Sequence, residues 1–185
     1  SIVLPAHDEV ETLADVTRHA LRVGSQCAGL LEVVIVDDGS RDGTAELARD
    51  LARMDERVRV VTHAVNQGYG AALRSGFERA QHEWIFYTDA DGQFDLDELP
   101  ALLALLARYD VVTGYRAARR DGRLRSAFGA TFSAAVNHLL GVQVRDVNCA
   151  FKVYPKRLFE GLALSANGAL IDAEMLAAAR SAGLR

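Results

Sequence analysis

Five short apolar runs alternate with stretches of helical spacing, and this alternation limits the chain to one architectural class. Ile2-Val3-Leu4, Val33-Val34-Ile35-Val36, Val58-Arg59-Val60-Val61, Trp84-Ile85-Phe86-Tyr87 and Val111-Val112 read as strands. Near-continuous, β-branched runs of this kind suit strands buried on both faces, as in a parallel sheet. Helical patterns are predicted over roughly 10–23, 43–54, 69–81 and 97–108; in the last, Leu99, Leu102, Leu103 and Leu106 fall on one face. Pro100 is tolerated only in a first turn, which selects Asp97 over Asp95 as the N-cap. The expected fold is α/β: one domain over residues 1–185, with a doubly wound, mostly parallel sheet and helices on both faces. Such sheets bind ligands at the carboxyl ends of their strands, so the search for chemistry starts there.

Composition removes several alternatives. A net charge of −4 argues against a nucleic-acid partner, which needs a broad basic surface. No apolar run approaches the ~18 residues of a membrane span. Two cysteines, Cys27 and Cys149, make neither a disulfide framework nor a zinc site of usual composition, and they fit a reducing, cytoplasmic compartment. The chain opens at Ser1 directly on a strand pattern and stops at Arg185 just after a helical one, so it reads as a piece of a longer protein, truncated at its C-terminus.

Three strands end in polar clusters: Pro5-Ala6-His7-Asp8-Glu9, then Asp37-Asp38-Gly39-Ser40-Arg41-Asp42-Gly43-Thr44, then Thr88-Asp89-Ala90-Asp91-Gly92-Gln93. Several acids at one sheet edge repel each other unless a cation or a donor-rich ligand sits among them. Asp89 and Asp91 flank a single residue and can turn two carboxylates toward one point, with Gln93 close by. Oxygen ligands of this kind suit Mg²⁺ or Mn²⁺. Asp37 and Asp38 could accept from a ribose hydroxyl or a base N–H, and Asp42 is placed to cap the next helix.

The segment Gly68-Tyr69-Gly70-Ala71-Ala72-Leu73 narrowly misses the dinucleotide fingerprint: Leu73 replaces the third glycine, and the segment follows the third strand and not the first. No P-loop, nucleophile elbow or His-Glu-x-x-His pattern occurs. After the fifth strand, five arginines lie between Arg116 and Arg125, Arg119 among them, and guanidinium forks of this kind can hold phosphate. Farther on, Asp146, Lys152, Asp172 and Glu174 stand among apolar neighbours.

Taken in order, these clusters resemble the family 2 glycosyltransferases of GT-A fold, in particular the dolichyl-phosphate mannose and glucose synthases. The resemblance implies that Pro5, His7, Glu9, Val36, Asp38, Asp89, Ala90 and Asp91 line the nucleotide-sugar pocket. It implies a metal at Asp89, Asp91 and Gln93, and a pyrophosphate contact at Arg116, which closes Val112-Thr113-Gly114-Tyr115-Arg116. Arg125, with Arg119 and Lys152, would face the acceptor phosphate. Asp146, Phe151 and Lys152 match the family's later Asp-x-x-x-x-Phe-Arg/Lys stretch, and Glu174 an acid in the following helix. His7 stands where the family usually has a tyrosine, and Gly129 where a serine often helps hold phosphate.

The expected activity is therefore an inverting, metal-dependent transfer of a hexose from GDP-mannose or UDP-glucose to a polyprenyl or dolichyl phosphate. Asp91, Arg116, Arg125 and Asp146 would carry it, at the cytoplasmic face of a membrane that supplies the lipid acceptor. Transfer to a hydroxyl of a glycan or small metabolite is the rival within the class. A catalytically idle nucleotide-sugar sensor is the rival outside it.

Overall fold

The computed structural model describes residues 1–116 and 123–185, with residues 123–130 as helical backbone alone. In chain order the elements are β1 (Ile2–Ala6), α1 (Leu13–Cys27), β2 (Val33–Asp37), α2 (Thr44–Met54), β3 (Val58–Thr62), α3 (Tyr69–Arg79), β4 (Trp84–Thr88), α4 (Leu99–Ala104), β5 (Val112–Thr113), α5 (Arg123–Leu140), β6 (Phe151–Pro155) and α6 (Leu170–Ser181). Among the described residues these strands form one six-stranded sheet in the order β3-β2-β1-β4-β6-β5. β1 lies parallel to β2 and β4, and β2 parallel to β3; only β6 runs antiparallel, to β4 on one side and β5 on the other.

Period-two alternation along each strand divides the core. Ile2, Leu4 and Ala6 of β1, with Val33 and Ile35 of β2, pack beneath Leu13, Val16 and Ala20 of α1 and Ala48 of α2. Val3, Val34 and Val36 point the other way, against Leu73 and Phe77 of α3 and Ile171 and Met175 of α6. Each Val, Leu, Ile, Phe or Met side chain so removed from water contributes roughly 1.5–3 kcal/mol. Both faces are therefore covered, as the unbroken apolar runs require.

Two local expectations need correction. The residue that caps the α4 region is Asp95, whose side chain accepts from the Asp97 N–H; Asp97 instead holds Arg22 at 2.8 Å. The helix is entered through a 3-10 turn at Leu96–Glu98, which moves the cap back while leaving Pro100 in a first turn. The first helix starts at Leu13 and not at residue 10; Glu9–Thr12 form a connection that reaches the loop after β4, where the Thr12 hydroxyl donates to the Ala90 carbonyl at 2.7 Å. Among the described residues, no helix is long and apolar enough to cross a membrane.

Candidate active site

The loops after β1, β2 and β4 meet at the carboxyl edge of the sheet and are tied together by side-chain-to-backbone hydrogen bonds. The Asp8 N–H donates to Ser40 Oγ, the Arg41 N–H to Asp8 Oδ1, the Glu9 N–H to Thr44 Oγ1 and the Val10 N–H to Asp42 Oδ2. Asp42 also accepts from the Thr44 N–H at 2.9 Å, but the N-cap of α2 is Gly43 and not Asp42, which stands one residue before it. Gly39 allows the β3–α3 connection to close over this cluster. Its φ is 69°, and a Cβ there would lie 2.4 Å from the Val65 carbonyl carbon.

A cavity of ≈ 230 Å³ opens between these loops, lined by Pro5, Ala6, His7, Glu9, Asp38, Tyr69, Ala72, Asp89, Ala90 and Asp91. Seven of the nine residues expected to bind the nucleotide sugar are in that lining. The exceptions are Arg116 and Val36, the latter fully buried in β2 against α3, where it can only shape the floor. Tyr69 was not anticipated; its segment drew notice for its glycines. Gly70 has a different purpose from phosphate binding: its N–H donates to the Asn167 carbonyl, and a Cβ would lie 2.1 Å from the Ala166 carbonyl oxygen. The glycines let the segment before α6 lie against the start of α3.

The acidic pair is the electrostatic centre of the cavity. Asp89 Oδ1 is buried with no hydrogen-bond partner. Burial, and then the Asp91 charge beside it, push the Asp89 carboxyl up to about 7, although the Tyr69 hydroxyl and the Lys152 field both favour its ionised form. Tyr69 stays a phenol, its own value raised well above 10 by burial and by the Asp89 and Asp172 charges. Asp91 Oδ1 accepts from the Gln93 N–H at 2.9 Å. An orphaned buried carboxylate oxygen and a second carboxylate two residues on are donors of the kind a hard divalent cation takes; Gln93, expected as the third ligand, is exposed and lies outside the cavity lining. The residues fit Mg²⁺ or Mn²⁺.

This carboxyl has a measurable consequence in the metal-free protein. Its ordinary value is 3.8, so between that pH and about 7 the folded state keeps a proton the unfolded chain has released. This carboxyl's own contribution to stability therefore falls as pH rises through the window, by about 2–3 kcal/mol between pH 5 and 8, while the buried Ser1 ammonium, lowered from 8.0 to about 6, works in the opposite sense. In EDTA, wild type should accordingly lose about 2–3 kcal/mol relative to Asp89→Asn between these two pH values. Urea unfolding at the two pH values reads the difference; a variant slope as steep as wild type's would place the burden on another group.

A second grouping of possible ligands, His19, Asp95 and Asp97, lies on the exposed surface between α1 and α4. Its groups are already engaged with one another and with Arg22.

The remaining expected residues divide by position. Arg116 lies outside the cavity lining and is gripped by both oxygens of buried Asp146, at 2.8 and 3.0 Å. Glu174 accepts from the Ser165 N–H and hydroxyl and from the Ala166 N–H, which lowers its carboxyl despite partial burial; it holds backbone, not a cation. Phe151 packs in the core against Phe86. Arg119 lies outside the described residues, as does the side chain of Arg125 in α5, so the expectations at Arg119, Arg125 and Gly129 are not described by the structure. Lys152 is a correction. Expected at the acceptor phosphate, it is fully buried in β6, with Nζ on Asp172 of α6 and 2.9 Å from the Tyr87 hydroxyl, out of reach of a ligand.

The family model described as "Glycosyl transferase family 2" matches residues 1–163. The chain belongs to glycosyl transferase family 2. Among its relatives, undecaprenyl-phosphate 4-deoxy-4-formamido-L-arabinose transferase of Pseudomonas fluorescens (strain SBW25) is 34% identical over 165 residues, 88% of this chain and 48% of the relative. The protein of the same name from Aeromonas hydrophila is 32% identical, over 88% of this chain and 50% of its own length. The chain thus spans about half the length of the curated relatives it matches. A crystal structure of Mycobacterium tuberculosis glucosyl-3-phosphoglycerate synthase, in complex with Mn²⁺, uridine diphosphate and phosphoglyceric acid, superposes with a TM-score of 0.71 at 22% identity, covering 95% of this chain and 61% of that one. Mannosyl-3-phosphoglycerate synthase from Rubrobacter xylanophilus gives 0.67 at 18% identity, over 85% and 53%. The family 2 domain described here has the GT-A fold.

Proposed function

We propose that this domain transfers a sugar, with inversion, from a nucleoside diphosphate to a polyprenyl phosphate. The observation that carries the reading is the cavity's acidic pair, in which Asp89 keeps a buried oxygen with no partner. Asp89 and Asp91, with Gln93 beside them, would hold Mg²⁺ or Mn²⁺, which when bound neutralises charge on the departing nucleoside diphosphate. A neighbour of the same fold carries Mn²⁺ and uridine diphosphate together, and the relatives' names supply the class of acceptor.

The protein's own groups divide the remaining work. Asp38 and Glu9 offer acceptors to the nucleoside from the cavity wall. Arg116, held by Asp146, would meet the donor pyrophosphate, and Arg125 the acceptor phosphate. No group need remove a proton from the acceptor, because a phosphate monoester has its second pKa near 6 and is largely dianionic at neutral pH. Of the later carboxylates, Asp146 is committed to Arg116 and Glu174 to the backbone of residues 165–166. The lipid acceptor would bring the domain to the cytoplasmic face of a membrane.

The experiment is a donor panel with Mn²⁺: UDP-glucose, GDP-mannose and a nucleotide-linked 4-deoxy-4-formamido-L-arabinose, scored by thermal shift and by transfer to undecaprenyl phosphate. The hexoses are the first expectation, and the relatives' pentose is the third arm. Arg125→Ala should raise the acceptor KM about tenfold to a hundredfold, the worth of one charge-assisted contact, and leave donor affinity unchanged. An equal fall in donor affinity would move Arg125 to the pyrophosphate.

A further inference from the structure

A Ser–His–Asp chain runs from the middle of α3 to the wall of the cavity. His63, buried just after β3, places Nδ1 2.6 Å from Asp38 Oδ1 and Nε2 2.9 Å from Ser75 Oγ. Ser75 lines neither this cavity nor the larger one (≈ 460 Å³) beside α3. The consequence of the chain lies at its other end, where Asp38 does line the cavity.

Asp38 has little freedom left. Oδ1 accepts from His63 and from the Gln67 N–H at 2.9 Å, and Oδ2 from the Gly68 N–H at 2.9 Å. A carboxylate offers about four lone-pair positions, so three donors leave roughly one, on Oδ2. The carboxylate cannot donate, so Nδ1 of His63 carries the hydrogen. The Asp38 carboxylate thus selects the tautomer, and in the neutral ring Nε2 accepts from the Ser75 hydroxyl, which rotates to suit. Gln67 and Gly68 belong to the connection closed over Gly39, so the aspartate rotamer, the imidazole and this loop hold one another in place.

We propose that His63 is a positioning residue for donor binding. It holds Asp38 in the one rotamer that leaves a single acceptor open to an N–H or O–H of the donor nucleoside, and Ser75 acts through it. This inference rests on the proposed nucleotide-binding role of the cavity.

The test is calorimetry of UDP and of GDP, each with Mn²⁺, on wild type and two variants. His63→Asn keeps an N–H near the position of Nδ1 and should bind within about twofold of wild type. His63→Phe removes that donor and should weaken binding about tenfold, the worth of one hydrogen bond to a charged group. Where a preferred sugar donor is known, the Phe loss should appear in its KM and leave kcat unchanged. Equal affinity in His63→Phe and wild type would overturn the proposal. So would equal weakening in both variants with a matching fall in melting temperature, the pattern of a purely structural residue. Wild type binding neither nucleotide would instead overturn the donor-site reading beneath it.

Discussion

Lys152→Met should destabilise the protein by about 3–5 kcal/mol, the cost of leaving a buried charge without its partner. Lys152 and Asp172 are 0% and 3% exposed, and the ammonium reaches both the Asp172 carboxylate and the Tyr87 hydroxyl, which itself donates to Asp172. With methionine in place, the Asp172 carboxylate keeps only the Tyr87 hydroxyl. Lys152→Met combined with Asp172→Leu should recover most of the loss, because a buried ion pair replaced as a unit by apolar groups is close to neutral. A double-mutant cycle by urea unfolding measures the pair directly. Should Lys152→Met unfold like wild type and instead raise the acceptor KM, the lysine would be a phosphate ligand after all and its burial would not describe the working enzyme.

The second large effect concerns turnover. Asp91→Asn should lower transfer to a polyprenyl phosphate by about 10²–10³-fold, the usual cost of removing one group that stabilises charge in the transition state. Asp91 stands at the cavity while making one backbone contact, to the Gln93 N–H, so the fold should survive. Asp146→Asn and Glu174→Gln should each retain measurable transfer, since their carboxylates orient Arg116 and the segment at 165–166. Radiolabelled sugar transfer at saturating donor separates the cases. If either amide variant is as inactive as Asp91→Asn while still binding both substrates, a general base is required. A hydroxyl acceptor would then be the better reading.

The arrangement of strand-end acids was legible in the sequence because their position depends only on local rules. A strand followed by Asp-Asp-Gly-Ser or Asp-Ala-Asp turns at its carboxyl end, and a parallel sheet brings all such ends to one edge. Pro5, Glu9, Asp38, Asp89 and Asp91 share a cavity for that reason. Tyr69 was missed because its role depends on a contact between the start of α3 and Asp89 in the loop after β4, brought together by the fold alone.

The sequence by itself determined the layering, since unbroken β-branched runs admit only strands covered on both faces, and it determined which loops carry acids. Only the tertiary structure decided what the later polar residues do. β6 was hidden because Phe151-Lys152-Val153-Tyr154-Pro155 carries a lysine mid-run, and a lysine is read as exposed unless its counter-ion is known. That counter-ion, Asp172, lies 20 residues away on α6. Likewise, nothing local in Asp38, His63 and Ser75 announces that they form one hydrogen-bonded chain, and the pairing of Arg116 with Asp146 spans 30 residues. Long-range ion pairs form because burial makes an unpartnered charge costly, and which charges are buried together is settled when the sheet and its covering helices assemble.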